Sequence, residues 1–259
     1  MTIPYFHVDA FTGEGLLGNP AAVCPLPGWL PDAELQRMAA EHNLSETAYF
    51  VPEGDGYRLR WFTPAVEVDL CGHATVATAH VLFNHYGHAA DVIEFASKSG
   101  PLRVHRRDDL IVLDFPSRPP VRCELPIELK EALPIQPLEC WKARDYMVVY
   151  GSREDVAALQ PDFAWMTKLA VVGIIATAPG RGEDFVSRFF APRSGILEDP
   201  VTGSAHCTLV PHWAGLLGKT KLHARQISPR GGELFCELHG DRVHLGGRAR
   251  TYSHGEILG

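Results

Sequence analysis

The stretch Val68-Asp-Leu-Cys-Gly-His-Ala-Thr-Val-Ala-Thr-Ala-His80 decides the fold prediction for this chain. After Cys71-Gly-His73, small and apolar residues continue to Phe83 and leave almost no polar face, which predicts a buried helix. Its first turn has backbone N–H groups without intrahelical partners at the positive end of the helix dipole, and such a turn attracts anions. A thiol and an imidazole lie at the same end. We take this stretch as the centre of one half of the molecule.

A similar arrangement follows about 130 residues later. Arg60-Trp-Phe-Thr-Pro64 precedes the first copy, and Arg188-Phe-Phe-Ala-Pro192 precedes the second. Thr202-Gly-Ser-Ala205 then corresponds to Cys71-Gly-His-Ala74. Two units with strand, glycine turn and buried helix in the same order predict an internal duplication.

The proline-rich segment Pro116-Ser-Arg-Pro-Pro120 breaks the pattern of strands. We therefore predict an N-terminal half over residues 1–117 and a C-terminal half over residues 118–259, with the last residues free to pack back on the N-terminal half. The final strand is predicted for residues 243–246. Pro211 is expected to kink or end the second buried helix after roughly two turns.

Composition excludes several classes of protein. At 46% hydrophobic and 21% charged residues the chain is typical of a soluble globular protein, and a net charge of −7 without a basic cluster argues against nucleic-acid binding. We see no signal peptide and no window long enough for a membrane helix, so we predict a cytoplasmic protein. The six scattered cysteines have no Cys-x-x-Cys spacing and indicate reduced thiols. The His73/His80 and His206/His212 spacings do not place either pair on one helical face, so no metal is predicted.

Two residues of the first half are candidates for acid–base chemistry. Glu46 is flanked by Leu44, Ser45 and Ala48; partial desolvation would raise its pKa towards neutrality, although an exposed glutamate near a helix end is the alternative. His73 at a helix N-terminus would stay neutral and exchange hydrogen bonds, and a purely structural histidine is its alternative.

The remaining candidates also have two interpretations each. Asp199 is either an N-terminal cap of the second helix or a second carboxylate that faces the cleft beside Glu46. Gly203 and Ser204 offer amides and a hydroxyl for a substrate carboxylate or an enolate-like charge. Cys71 is either a thiolate of lowered pKa or an inert buried thiol.

Taken together, these motifs resemble the phenazine-biosynthesis PhzF-like proteins over nearly the whole chain. The motifs that carry the resemblance are Asp9-Ala-Phe-Thr12, Gly18-Asn-Pro20, Asn43-Leu-Ser-Glu-Thr47, Phe62-Thr-Pro64, Cys71-Gly-His-Ala-Thr75 and Glu198-Asp-Pro-Val-Thr-Gly-Ser-Ala205. The resemblance implies an α+β, diaminopimelate-epimerase-like fold with two pseudo-symmetric halves. Each half is expected to be a curved, mostly antiparallel sheet or barrel around a central helix, with the active site between them. It also implies cofactor-free proton transfer on a small carboxylic acid, and a homodimer.

Carried over position by position, the resemblance makes Glu46 the acid/base. The residues expected to assist it are His73, Asp199 and Ser204. The amides of Gly72 and Gly203 would hold the ligand, with Asn19 as a further contact. Cys71 and Thr202 would line the pocket.

The pair Cys71 and Thr202 decides which mechanism we predict. The related epimerases and racemases use two cysteines, one at each of these positions. Inverting a carbon centre needs a base on each face, and a threonine hydroxyl has no accessible anion. We therefore predict a single-base allylic or keto–enol isomerisation with Glu46 as the proton shuttle. The alternatives are a cysteine-dependent amino-acid racemase or epimerase, and a non-catalytic small-acid-binding or interaction protein on the same scaffold.

Overall fold

The computed structural model describes residues 2–258 and shows an α+β protein, as the sequence predicts. The chain forms two compact units. Unit 1 contains the residues up to Asp114 together with those from Gly246 onward, and unit 2 contains Phe115–Leu245. Among the described residues, no helix combines the length and the apolar character needed to span a membrane.

The elements follow one another along the chain in a mixed order of strands and helices. They are β1 (Thr2–Thr12), β2 (Asn19–Pro25), α1 (Asp32–His42), β3 (Glu46–Glu53), β4 (Gly56–Phe62), β5 (Glu67–Val68), α2 (Gly72–Asn84), β6 (Val92–Ser97), β7 (Gly100–Arg107), β8 (Leu110–Pro116), β9 (Val121–Arg122), α3 (Ile127–Ala132), β10 (Glu139–Lys142), β11 (Tyr146–Val149), α4 (Arg153–Ala157), α5 (Phe163–Met166), β12 (Ile174–Pro179), β13 (Phe185–Ala191), a 3₁₀ turn (Pro192–Ser194), β14 (Ile196–Asp199), α6 (Gly203–Leu217), β15 (Lys221–Gln226), β16 (Gly232–His239) and β17 (Arg242–Leu258).

Unit 1 is a closed barrel around α2. Its pairings run antiparallel for β1–β2, parallel for β2–β3, antiparallel for β3–β4, parallel for β4–β6 and antiparallel for β6–β7 and β7–β8. β17 pairs with both β1 and β8 and closes the ring of eight strands. α2 packs against β1, β2 and β3, and nearly all of its side chains are buried. The small, apolar composition of this helix is therefore explained by burial on every side.

Unit 2 repeats the same order of pairings. β10–β11 is antiparallel, β11–β12 parallel, β12–β13 antiparallel, β13–β15 parallel and β15–β16 antiparallel. α6 is the counterpart of α2, since it follows the short strand β14 as α2 follows β5, and it packs against β15 and β16. The origin of this likeness in an internal duplication remains a prediction.

An arginine–glutamate pair holds the short strand that precedes each central helix. Arg60 donates two hydrogen bonds to the carboxylate of Glu67, at 2.7 and 3.0 Å. Arg188 donates two to Glu198, at 2.7 and 2.8 Å. Such two-pronged contacts fix geometry as well as add energy. Each acid lies four residues before the N-cap of the helix, so the pair helps to position the first turn.

The expectation that Pro211 ends the second helix after roughly two turns is wrong, because α6 continues to Leu217; a kink at Pro211 remains a prediction. A proline inside a helix leaves the carbonyl four residues earlier without its intrahelical donor. Here that carbonyl belongs to Cys207, and the backbone N–H of Arg118 donates to it at 2.8 Å. The helix continues because a distant segment supplies the missing hydrogen bond.

Candidate active site

Glu46 and His73 meet at the N-terminus of α2. The chain leaves α1 through Asn43, which adopts a left-handed conformation with φ 49°, and enters β3 at Glu46. His73 is the second residue of α2. Its Nε2 lies 3.2 Å from Oε2 of Glu46, and the two side chains are 6% and 15% exposed. A carboxylate and an imidazole are thus held in contact and largely away from water.

His73 is uncharged at neutral pH. Burial lowers the pKa of its imidazole to about 4, and a hydrogen bond to the Pro20 backbone opposes this shift less strongly. The contact with Glu46 is therefore one between a carboxylate and a neutral ring rather than an ion pair.

Asn19 fixes the position of the proton on His73. The Asn19 side-chain amide nitrogen lies 3.2 Å from His73 Nδ1, and an amide nitrogen can only donate. Ser45 Oγ donates to Asn19 Oδ1 at 3.1 Å, which sets the orientation of the amide. With Nδ1 as the acceptor, the proton of the neutral ring lies on Nε2, the nitrogen that is 3.2 Å from Glu46 Oε2.

Gly18 makes this placement of Asn19 possible. It has a φ of +72°, which side chains rarely tolerate, and an added Cβ would collide with the carbonyl oxygen of Ala10. Asn19 pairs with Ala10 between β2 and β1, so this close approach puts Asn19 in its buried position. The Gly-Asn-Pro motif is explained by this geometry.

Cys71 is the N-cap of α2 and a buried thiol. Its side chain makes no capping hydrogen bond, and its Sγ lies 3.5 Å from His73 Nδ1. Thr75 Oγ1 donates to the Cys71 carbonyl at 2.6 Å, while Gly72 begins the helix with an N–H that has no intrahelical partner. Of the two sequence interpretations, the structure shows the burial and adds the contact with the imidazole.

Three donor atoms in this group lie close enough to hold a metal ion. One ligand atom each from Glu46, Cys71 and His73 lies within 4.8 Å of the others, and oxygen, sulfur and nitrogen together form a donor set that zinc accepts. The positive end of the α2 dipole lies at the same place and disfavours binding of a cation. The expected absence of a metal remains a prediction.

The first turn of α6 is built differently. Thr202 is the N-cap, and its hydroxyl donates to Oδ2 of Asp199 at 2.5 Å. Gln226 is fully buried; its Oε1 accepts from the Thr202 N–H at 2.9 Å, and its Nε2 donates to the Asp199 carbonyl at 2.7 Å. The N-cap position thus belongs to Thr202, and the Asp199 carboxylate binds the hydroxyl of that residue.

Ser204 lies beside a cation. Arg144 Nη2 donates to Ser204 Oγ at 3.0 Å, and the same guanidinium donates twice to Oδ2 of Asp145. Asp145 is 1% exposed, and its other oxygen accepts from the Gly173 N–H at 3.0 Å. The buried carboxylate anchors Arg144, whose side chain remains 36% exposed at the first turn of α6.

Within unit 1 the structure brings together five of the residues predicted from the sequence, namely Glu46, His73, Asn19, Cys71 and Gly72. Within unit 2 it brings together the other four, Asp199, Thr202, Gly203 and Ser204. Their roles in catalysis and binding remain predictions. Sequence reasoning missed three polar neighbours: Ser45, Gln226 and Arg144. Only Ser45 had a signal, because it lies inside the Asn-Leu-Ser-Glu-Thr motif.

Comparison with known proteins gives consistent results. A family described as phenazine biosynthesis-like protein, PhzC-PhzF, matches residues 8–255. The chain is 50% identical to an uncharacterised isomerase of Pseudomonas aeruginosa, with 99% of each chain covered. It is 49% identical to a PhzF-family protein of Enterococcus faecalis known from its crystal structure, with a TM-score of 0.97 and full coverage of both chains.

A more distant likeness shows the fold alone. A hydroxyproline epimerase of Agrobacterium vitis is 12% identical, with a TM-score of 0.63 over 99% of this chain and 92% of the epimerase. The closer relatives support isomerase activity in the broad sense. On a match that spans almost its whole length, the chain belongs to the phenazine biosynthesis-like PhzC-PhzF family.

Proposed function

We propose that this protein is a cofactor-independent isomerase that moves one proton within a small carboxylic acid, with Glu46 as its single base. The observation that carries the proposal is the 3.2 Å contact between the Glu46 carboxylate and a neutral His73 at the N-terminus of α2.

Glu46 has the chemistry for both halves of such a transfer. Its carboxylate takes a proton from one carbon of the substrate, holds it as a carboxylic acid, and returns it to another carbon on the same face. No bond to the protein forms, and no electrons leave the substrate. Because its side chain is only 15% exposed, the proton is partly protected from exchange with water.

The neutral state of His73 suits this role. An imidazolium at this distance would stabilise the carboxylate charge and make Glu46 a weaker base. A neutral ring with its proton on Nε2 can donate a hydrogen bond to a reacting group and adds no charge. The N–H groups of the first turn of α2 favour the negative charge that develops when the carbon loses its proton.

The substrate class is proposed from unit 2 by itself. Arg144 presents a guanidinium, Ser204 a hydroxyl and Gly203 a backbone N–H at the first turn of α6. A planar guanidinium matches the two oxygens of a carboxylate, and a helix N-terminus favours negative charge. We therefore propose a carboxylic acid as the ligand, with Asp199 and Thr202 holding the turn in place.

The experiment is hydrogen exchange at carbon. The protein is incubated in D₂O with a panel of unsaturated cyclic and acyclic carboxylic acids, and carbon-bound deuterium is followed by NMR. Glu46→Gln should remove the exchange, whereas Glu53→Gln, at the exposed end of the same strand, should keep it. Equal exchange by wild type and Glu46→Gln would sink the proposal.

A cysteine-dependent racemase or epimerase is the second candidate, and the 3.5 Å contact between Cys71 Sγ and His73 Nδ1 is the observation that favours it. Its second base is missing, because the corresponding position carries Thr202. Exchange that survives Glu46→Gln but disappears in Cys71→Ala would establish this mechanism. Tight binding of acids without any exchange would favour the non-catalytic role.

We also propose a homodimer, on the family resemblance, and a location in the cytoplasm, on the pattern of scattered cysteines. Sedimentation velocity over a range of protein concentrations tests the dimer. A single species with the mass of one chain at all concentrations would refute it.

A further inference from the structure

Two cysteines of unit 2 face each other across a pair of strands. β9 and β10 pair antiparallel, with Arg122 opposite Trp141. The next pair is Cys123 and Cys140, joined by a hydrogen bond from the Cys123 N–H to the Cys140 carbonyl at 2.9 Å. The two Sγ atoms are 3.6 Å apart. Both thiols pack against the same core cluster, so their side chains point the same way.

This geometry suits a covalent bond between the two sulfurs. Directly opposite residues that share a backbone hydrogen bond in an antiparallel pair have Cα atoms about 5.5 Å apart, within the range that disulfides span. A disulfide needs the sulfurs about 1.5 Å closer than they are here, and we expect rotation of the two side chains to supply this approach.

The two thiols also differ in access. Cys123 is partly exposed, whereas the other five cysteines of the described chain are buried. An oxidant in solution therefore meets Cys123 first. Burial, together with the neighbouring Cys123, raises the pKa of the Cys140 thiol to about 12. The raised pKa keeps Cys140 unreactive towards an oxidant in solution, so Cys123 is the thiol that reacts first.

We propose that Cys123 and Cys140 form a redox modification site, in which a peroxide converts the two thiols into an intramolecular disulfide. The Cys123 thiolate attacks one peroxide oxygen; an S–O bond forms, the O–O bond breaks, and the first water or alcohol leaves. Cys140 sulfur then attacks the Cys123 sulfenic acid; the S–S bond forms, the S–O bond breaks, and the Cys140 proton leaves with the hydroxide as water. The two sulfurs lose two electrons in total, and the peroxide gains them.

The disulfide would close a short loop in unit 2. The two cysteines are 17 residues apart, and the loop contains α3. Leu129 and Ala132 of that helix and the following Leu133 are core residues of unit 2. The cross-link would therefore restrict the unfolded chain and raise the melting temperature, without touching Glu46 or His73.

The experiment treats the full-length protein with one equivalent of hydrogen peroxide, blocks free thiols with iodoacetamide and measures the intact mass. We expect two alkyl groups fewer than in the reduced protein, a cross-linked peptide pair that contains both cysteines, and a melting temperature higher by roughly 5 °C that dithiothreitol reverses.

Variants separate the two steps. Cys140→Ser should stop at the first one and leave a Cys123 sulfenic acid that dimedone traps, whereas Cys123→Ser should give neither product. Cys24→Ser, at a fully buried thiol, is the matched control and should behave as wild type. Circular dichroism confirms that each variant folds. A disulfide that persists in Cys123→Ser, a disulfide between chains, or dimedone labelling of wild type with no cross-link would overturn the proposal.

Discussion

The two central helices begin on the same backbone frame and carry different chemistry there. In α2 the N-cap residue is Cys71, and the second helical residue, His73, contacts Glu46. In α6 the N-cap residue is Thr202, and the second helical residue, Ser204, contacts Arg144. The first turn thus lies beside a carboxylate and a neutral imidazole in unit 1 and beside a cation in unit 2.

The comparison shows that the same backbone arrangement at a helix N-terminus can carry side chains with different chemistry. Even the carbonyl of the N-cap residue is satisfied in two ways: by Thr75 Oγ1 in α2, at 2.6 Å, and by His206 Nδ1 in α6, at 2.8 Å. Both side chains lie four residues after the N-cap. Different residues solve the same backbone problem, which leaves the neighbouring positions free to differ.

The largest effect should come from removing Glu46, the proposed base of unit 1, and the corresponding change at the carboxylate of unit 2 should have a much smaller effect. Glu46→Gln should lower the rate of carbon-bound deuterium exchange by about 10³-fold, because no other group takes the proton. Asp199→Asn should lower it by about tenfold at most, because the new side-chain oxygen still accepts the hydroxyl proton of Thr202. NMR exchange rates in D₂O measure both. Equal losses in the two variants would contradict the single-base assignment.

The next prediction concerns Arg144, the cation at the first turn of α6. Arg144→Gln should raise KM for the carboxylic acid by about tenfold or more and leave kcat nearly unchanged, since a lost charge-assisted hydrogen bond costs about 1.5–3 kcal/mol. Steady-state kinetics check this. Arg181→Gln, at an exposed arginine of the same unit that pairs with Glu154, is the control and should change neither constant. A fall in kcat alone would argue against a binding role for Arg144.

Replacing His206, whose ring binds the carbonyl of the N-cap residue of α6, should change how the free energy of unfolding depends on pH. Burial lowers the pKa of His206 to about 4, below its unfolded value near 6.5, so the unfolded state binds more protons between these values. The stability that neutral His206 contributes is present above pH 6.5 and is lost as the pH falls towards 4.

His206→Thr, which copies Thr75 of α2, should remove up to about 3 kcal/mol of this pH-dependent loss. It should also lower the free energy of unfolding at pH 7 by about 1–3 kcal/mol through the lost ring volume. Urea unfolding of wild type and variant at pH 7 and pH 4.5 gives both quantities. Parallel pH profiles would show that His206 does not titrate on unfolding.

The smallest effect concerns the proline that α6 has and α2 lacks. Pro211→Ala should change the free energy of unfolding by less than about 1 kcal/mol, although Pro usually costs about 3 kcal/mol inside a helix. The reason is that Arg118 already occupies the Cys207 carbonyl. Thermal unfolding measures the change. A stabilisation of about 3 kcal/mol would show that this hydrogen bond compensates little.

The features that could be predicted from the sequence are those that a local sequence pattern determines. The run of small residues after Cys71 predicts α2, because burial on every side leaves a local signature in the sequence. The residues of the candidate site were found mostly through motifs. These motifs lie at element ends, where caps and tight turns restrict the choice of residue.

What the sequence did not predict depends on distant partners. The last strand was predicted only for residues 243–246, yet β17 extends to Leu258 because it pairs with β1, where Thr2 lies opposite Leu258. Arg144 contacts Ser204 across 60 residues of sequence. Neither pairing leaves a periodicity or a spacing that a local window contains.

The hydrogen bond from Arg118 to Cys207 has a consequence for folding kinetics. Because Pro211 removes the local donor, α6 completes its hydrogen bonding only after a long loop has closed, and closing such a loop is slow. We expect the C-terminal half of α6 to form late in refolding, after α2, whose hydrogen bonds need no such partner. In stopped-flow refolding with pulsed hydrogen exchange, the amides of residues 212–217 should gain protection after those of residues 76–84. Formation of the second half of α6 would then depend on the closure of the loop that brings Arg118 to Cys207, and Pro211 is the residue that creates this dependence.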